Sequence, residues 1–137
     1  MTTVNLALSI QVVGGPQLAV STTKSVEAYD KTEVVIDPGG ASAMEKLVYI
    51  QPGSAAQVSL LLIKSDLYGP EITYKASDGT TDSNAITLDE PQIMLGSGSV
   101  SLLGVAPKIP KFKNTHPAGD AGKKATIEIL VGRDATP

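Results

Sequence analysis

The stretch V-N-L-A-L-S-I-Q-V, residues 4–12, decides the fold class. Val4, Leu6, Leu8, Ile10 and Val12 are large and apolar, whereas Asn5, Ala7, Ser9 and Gln11 between them are small or polar. Side chains on an extended chain point alternately to opposite faces, so this spacing gathers every large apolar group on one side of a strand. On a helix the same residues would scatter around the whole surface. Gly14-Gly15-Pro16 ends the run.

Outward from this segment the same vocabulary recurs. Leu18 to Tyr29 reads as a second extended stretch whose polar Ser21-Thr22-Thr23 centre suits either a bulge or a division into two pieces. Asp30-Lys31-Thr32 reads as a turn, Glu33 to Ile36 as a short strand, and Pro38-Gly39-Gly40 as a break. Residues 41–46, A-S-A-M-E-K, have room for a single helical turn. Leu47 to Gln51 reads as a strand closed by Pro52-Gly53. Gln57 to Lys64 contains the continuous run V-S-L-L-L-I, expected of a central strand covered on both faces. Further strands are expected at Glu71–Lys75, Ala85–Leu88, Gln92–Leu95, Val100–Leu103 and Ala125–Val131, with residues from Gly132 onward as a tail. Ser77 to Asn84 is a polar loop with Asp78-Gly79 as its turn, and residues 105–124 read as an irregular Lys- and Pro-rich loop.

The sum is about nine or ten short strands spaced by roughly ten residues. No strand–helix rhythm of a parallel α/β sheet appears. The expected architecture is all-β: one domain over residues 1–137, an antiparallel β-sandwich, jelly-roll-like. Its length of 137 residues suits a single hydrophobic core.

Composition narrows the chemistry. The chain has no Cys, no Trp and a single His, His116, which removes disulfides, thiolate metal sites and Cys nucleophiles and leaves no multi-His site. His116 lies in N-T-H-P-A-G beside Pro117, with no G-x-S-x-G elbow in the chain, and is expected to be a surface or loop-tethering residue. The segment G-D-A-G-K-K, residues 119–124, lacks the spacing of a phosphate loop and precedes a strand, not a helix. Asp78, Asp82 and Asn84 carry oxygens suited to calcium, but without the spacing of an EF-type loop. Asp89-Glu90 are adjacent and would face opposite sides of a strand, so they make no acid–base pair. No catalytic residue, cofactor or metal is expected. No signal peptide and no apolar run of membrane-spanning length is visible.

Charge is uneven. Residues 1–107 hold five Lys against eleven acids, whereas residues 108–124 hold five Lys against Asp120 alone. The basic segment is either a solvated loop or a docking element for an acidic protein surface. A single Arg, Arg133, argues against nucleic-acid recognition, where the guanidinium fork is the favoured tool.

The opening M-T-T-V-N-L-A-L-S-I, the Ala/Gly/Ser/Thr/Val-rich body without Cys or Trp, and the closing I-L-V-G-R-D-A-T-P resemble the small virion proteins of tailed bacteriophages, of the capsid-decoration or cement class. That resemblance implies a jelly-roll or related sandwich. It also implies a homo-oligomer, often a trimer, seated on the major capsid protein outside the shell and opposing internal pressure. The setting would be the virion, assembled in a host cytoplasm. The contact residues expected on this basis are Val4, Leu6, Leu8 and Ile10, from a first strand that is free to pair with another subunit's edge unless it pairs internally, and Lys108, Lys111 and Lys113. The competing expectation is a carbohydrate- or surface-binding module, such as a fibre tip or lectin-like domain. It requires Tyr29, Tyr68 and Tyr74 to cluster on one face.

Overall fold

The computed structural model describes residues 2–50 and 58–134. The expected Pro52-Gly53 turn, the start of the apolar strand at Gln57 and the last three residues lie outside them. The described residues form ten strands: β1 (Thr2–Gln11), β2 (Gln17–Val26), β3 (Ala28–Ile36), β4 (Lys46–Leu47), β5 (Val58–Ser65), β6 (Ile72–Lys75), β7 (Ile86–Thr87), β8 (Gln92–Leu95), β9 (Lys111–Asn114) and β10 (Ala125–Arg133). One short helix, α1 (Ser97–Val100), follows β8.

Every pairing is antiparallel, and the order of pairing shows how the chain is wound. β3 pairs with β10, β4 with β9, β5 with β8 and β6 with β7. The chain from β3 to β10 is therefore one long antiparallel ribbon, doubled back between β6 and β7. Wrapping that ribbon brings β10 against β5 and β9 against β6. Two four-stranded sheets result, β3-β10-β5-β8 and β4-β9-β6-β7. This is the winding of an eight-stranded jelly roll.

The two sheets share one core. Leu61, Ile63, Ile127, Ile129 and Val131 from the first sheet meet Ile72, Tyr74 and Phe112 from the second. The Tyr74 and Phe112 rings pack 5.5 Å apart at a tilt of 31°, a favourable offset for aromatic quadrupoles. β10 shows the underlying period directly: Ala125, Ile127, Ile129 and Val131 are buried, while Thr126, Glu128 and Leu130 between them are only half-buried.

Three local expectations are corrected. Asp30-Lys31-Thr32 is not a turn but the middle of β3, where nine residues pair with β10. Val100 to Leu103 is not a strand: α1 and a following 3-10 turn over Ser101–Leu103 bury Val100 and Leu103, three residues apart on one helical face. Gly96 at φ +88° opens this turn. Residues 105–124 are not irregular throughout, because Lys111–Asn114 forms β9, with Phe112 and Asn114 inward. The first strand pairs internally, since all ten residues of β1 pair with β2. The Gly14-Gly15 turn closes that hairpin, with Gly15 N–H donating to the Val12 carbonyl at 2.8 Å. Gly14 sits at φ +76° there, a left-handed conformation that favours glycine.

Candidate interaction surface

The β1–β2 hairpin is a separate two-stranded sheet, an arm beyond the jelly roll. Its register puts Leu8 opposite Val20 and Ile10 opposite Leu18, with Val4 and Leu6 on the same face. The other face carries Asn5, Ser9, Gln17 and Thr23, and it satisfies itself: Gln17 Nε2 donates to Ser9 Oγ at 3.2 Å and Thr23 Oγ1 to Asn5 Oδ1 at 3.1 Å. The arm is thus amphipathic, with a polar face suited to water and an apolar stripe.

At its root the stripe is covered. Val26 is fully buried, and a Cβ built on Gly132 would stand only 3.0 Å from Val26 Cγ1 and 3.3 Å from Leu60 Cβ. Gly132 lies opposite Tyr29 and Leu60 in the register, on the side of the first sheet away from the core. Val26 and Leu60 are the two buried apolar residues outside the main core cluster among the described residues. The arm therefore springs from the outer face of the first sheet, held by Val26 against Gly132 and by a Glu27 N–H to Arg133 carbonyl bond of 3.1 Å. The expectation of a β5 strand covered on both faces holds at Leu60, while Leu62 on the same outer face is only half-buried.

Beyond the root the stripe opens to solvent. Leu8 is 40% exposed, Ile10 54%, Val20 51%, Leu18 68% and Val13 at the tip 98%. Residues 1–26 contain one charged side chain, Lys24, out of 25 in the chain. Edge strands are ordinarily protected by charge, proline or a bulge. Along its stripe this ribbon has only Lys24, opposite Val4 near the root, and none of these beside Leu6, Leu8, Ile10, Leu18 or Val20.

A second apolar area lies on the outer face of the first sheet. Leu130, Leu62 and Ile93 stand in one row across β10, β5 and β8, each directly opposite the next. Tyr29, 55% exposed, joins them from β3. Residues Thr2 to Asn5 form one wall of a shallow groove whose floor is Tyr29, Leu60 and Leu130, so stripe and sheet patch meet. Charges border the patch: Glu128 accepts Lys31 and Lys64, each at 3.3 Å, and these hydrogen-bonded ammonium groups hold its carboxyl below the usual range.

The expected contact residues divide between two places. Val4, Leu6, Leu8 and Ile10 lie together on the arm. Lys111 and Lys113 lie on the outward face of β9 in the second sheet, and Lys108 in the loop before it. Lys111 is already engaged, its Nζ 3.0 Å from Asp82 Oδ2. The two sets do not form one surface. The residues missed in the sequence are Leu18 and Val20, which complete the stripe, and the Leu62–Leu130–Ile93 row. A Gly-Gly pair between two alternating runs is the hairpin signal that would have found the former.

The other candidates are structural. Asp78 Oδ1 accepts the N–H groups of Thr80 and Thr81 at 2.9 and 2.7 Å, closing a turn, and these bonds lower its pKa. The Asp82 carboxyl is lowered by bonds from Ser77 and Lys111. Both carboxylates of the proposed calcium loop are thus occupied by protein donors. Among the described residues no group of three His, Asp or Glu side chains could hold a metal. His116 Nε2 lies 3.7 Å from Glu71 Oε2, and the His116 backbone bonds Gly40 and Asn114, which ties its loop down. A shallow cleft of about 260 Å³ between Pro38, Gly119 and Asp120 is bordered by Asp37 and Lys124, themselves 3.8 Å apart. Tyr74 is in the core, with its hydroxyl on Gln92 and its phenol pushed up to about 12 by burial. Tyr68 is half-buried, accepting the Ser65 N–H, and only Tyr29 of the three is exposed. They do not form an aromatic platform.

The lowered carboxyls of Asp78, Asp82 and Glu128 carry a pH dependence. A group with a lower pKa when folded stabilises above its unfolded value, and that contribution is lost as pH falls through the folded value. These carboxylates face solvent, so the melting temperature is expected to hold from pH 7 to about 4.5 and to fall by a few degrees below the ordinary carboxylate range of about 4. A flat profile down to pH 2 would contradict these pairings.

The chain matches no protein-family model, no curated protein and no solved structure. No helix among the described residues is long and apolar enough to cross a membrane.

Proposed function

We propose that the chain is a non-enzymatic structural subunit of a virion, a decoration protein that binds the outside of a capsid and stabilises it through contacts between subunits. The observation that carries this reading is the β1–β2 arm, an almost uncharged ribbon with Leu8, Ile10, Leu18 and Val20 bare on one face. An isolated two-stranded hairpin is at best marginally stable in water. One that also leaves its apolar stripe uncovered is a component of a larger assembly, completed by burial against another subunit.

Three further features support the reading. The jelly roll supplies a rigid, closed body that recurs among shell-forming and lectin proteins. The glycan-binding alternative lacks the aromatic cluster it requires, since Tyr74 is buried beneath the second sheet. Lys113 on the outer face of β9 and Lys108 in the loop before it offer positive charge that steers approach to an acidic shell, while apolar burial supplies affinity.

Electron microscopy of virions that carry the chain tests this directly. It is expected to appear as regularly spaced protrusions on the outer shell. Adding it to shells stripped of it is expected to raise their resistance to heat. Location solely at a fibre tip, or no change in shell resistance on rebinding, would overturn the proposal.

A further inference from the structure

The assembly reading leaves open what covers the arm, and two bare apolar surfaces on the same chain answer that. We infer that the apolar stripe of one copy's arm docks on the Leu62–Leu130–Ile93 row and Tyr29 of a second copy. The inference rests on the chain being an assembling subunit and names the contact by which it assembles.

The two surfaces match in dimension. Leu8 with Val20 and Ile10 with Leu18 make two successive cross-strand rungs. Rungs on one face recur every second residue, about 7 Å along the ribbon, and the ribbon is two strands wide, about 5 Å between strand axes. The receiving row spans three adjacent strands, β10, β5 and β8, about 10 Å between the outer axes. An arm laid along the sheet face covers such a row.

They match in charge. From Leu6 outward the stripe presents no ionised group, and Lys24, opposite Val4, lies at its root end, so nothing must be desolvated unpaired as the outer rungs seat. The charges nearest the receiving row are tied together, Lys31 and Lys64 both on Glu128, and stand at the end of the row and beside it, where an interface rim would be.

They match in area. A stable interface buries about 800 Å² on each partner. Four or five half-exposed side chains on the arm fall short of that, and so does the sheet row. When one arm lies on a sister sheet, every copy buries a stripe and a row together. Contact between two arms would cover the stripes and leave Tyr29, Leu62, Leu130 and Ile93 wet. The stripe and row also meet in the groove formed by Thr2 to Asn5 with Tyr29, Leu60 and Leu130, so one partner can follow both without a gap.

The test uses two variants of the full chain. One carries Ile10→Lys and Leu18→Lys, which spoils the arm and spares the row. The other carries Leu62→Glu and Ile93→Glu, which spoils the row and spares the arm. All four positions are exposed or half-exposed, and circular dichroism checks that each variant keeps the wild-type strand spectrum. Each variant alone is expected to sediment as a 14.1 kDa monomer. Mixed in equal amounts they are expected to form a heterodimer, because the intact arm of the second meets the intact row of the first and the lysines of the first arm face the glutamates of the second row, so both contacts needed for a stable area are made. Wild-type oligomers with no heterodimer in the mixture would overturn the docking and leave the assembly reading standing. An oligomeric row variant beside a monomeric arm variant would assign the contact to paired arms and overturn it as well. A monomeric wild type at all concentrations would overturn both. Should the row variant misfold, Tyr29→Glu, at an exposed position, replaces it in the same mixture.

Discussion

A chain carrying Leu8→Lys and Val20→Lys is expected to keep its fold and lose self-association. The two residues face each other across the arm and are 40% and 51% exposed, so neither supports the jelly-roll core. Substitutions at such positions usually change folding stability by less than about 0.5 kcal/mol. Association responds differently. Burying an aliphatic side chain contributes roughly 1.5–3 kcal/mol, and two are removed from every contact. Two ammonium groups are placed where water must leave. The dissociation constant is expected to rise by at least about 100-fold, since each 1.4 kcal/mol is a factor of ten. Sedimentation at matched concentration measures the association, and thermal unfolding measures the fold. A double variant that associates as tightly as wild type would show that the stripe is not an interface.

Asn114→Ala is expected to give the largest loss of folding stability among single substitutions of buried polar residues. Asn114 ends β9 and is fully buried. Its Nδ2 donates to the Ile36 carbonyl at 3.1 Å and the Lys123 carbonyl at 2.7 Å, and its Oδ1 accepts the His116 N–H at 3.1 Å. One side chain thus joins the end of β3, the approach to β10 and the loop after β9, linking the two sheets at one end of the sandwich. Alanine leaves these backbone groups without their partner and opens a void. Leaving a buried polar group unsatisfied costs about 1–3 kcal/mol, and the sum is expected to reach about 3 kcal/mol or more. For a domain of this length that corresponds to a melting temperature lower by about 10 °C. Asn114→Asp keeps the shape and turns a second oxygen toward two carbonyl oxygens, so it is expected to be at least as damaging at pH 7. An alanine variant within about 0.5 kcal/mol of wild type would show that water replaces the amide at no cost.

Leu8 and Asn114 mark what is legible in the sequence and what is not. Alternation at Val4–Val12 and in A-T-I-E-I-L-V specifies strands because the period of two is a property of the backbone itself. The antiparallel sandwich follows from counting such runs. The course of β3 does not follow, because Asp30-Lys31-Thr32 has turn chemistry taken alone. Nine pairs with β10 and the Lys31–Glu128 ion pair hold it extended. Strand β9 was hidden by Lys111 and Lys113. Their charge marks a solvated segment, yet on an outer sheet face it is compatible with a strand whose Phe112 points inward. Val100 and Leu103 show the opposite failure. Their spacing of three fits a helical turn as well as a strand end, and Gly96 at φ +88° selects the turn.

The candidate surface was half legible. The stripe on β1 is visible because it is the alternation itself. Its second half, Leu18 and Val20, depends on the register of the Gly14-Gly15 hairpin. The row formed by Leu62, Ile93 and Leu130 draws on three strands distant in sequence and exists only once the ribbon is wound. Exposure is likewise a tertiary property: Leu60 and Leu62 belong to the same V-S-L-L-L-I run, and the arm root buries one and leaves the other half-open.

The solution mass of the intact chain, by light scattering across micromolar concentrations, addresses the bare stripe of the arm most directly. A small whole-number multiple of 14.1 kDa is expected, dissociating when Leu8 and Val20 are changed to lysine. A mass of 14.1 kDa at every concentration, unchanged by those substitutions, would contradict it.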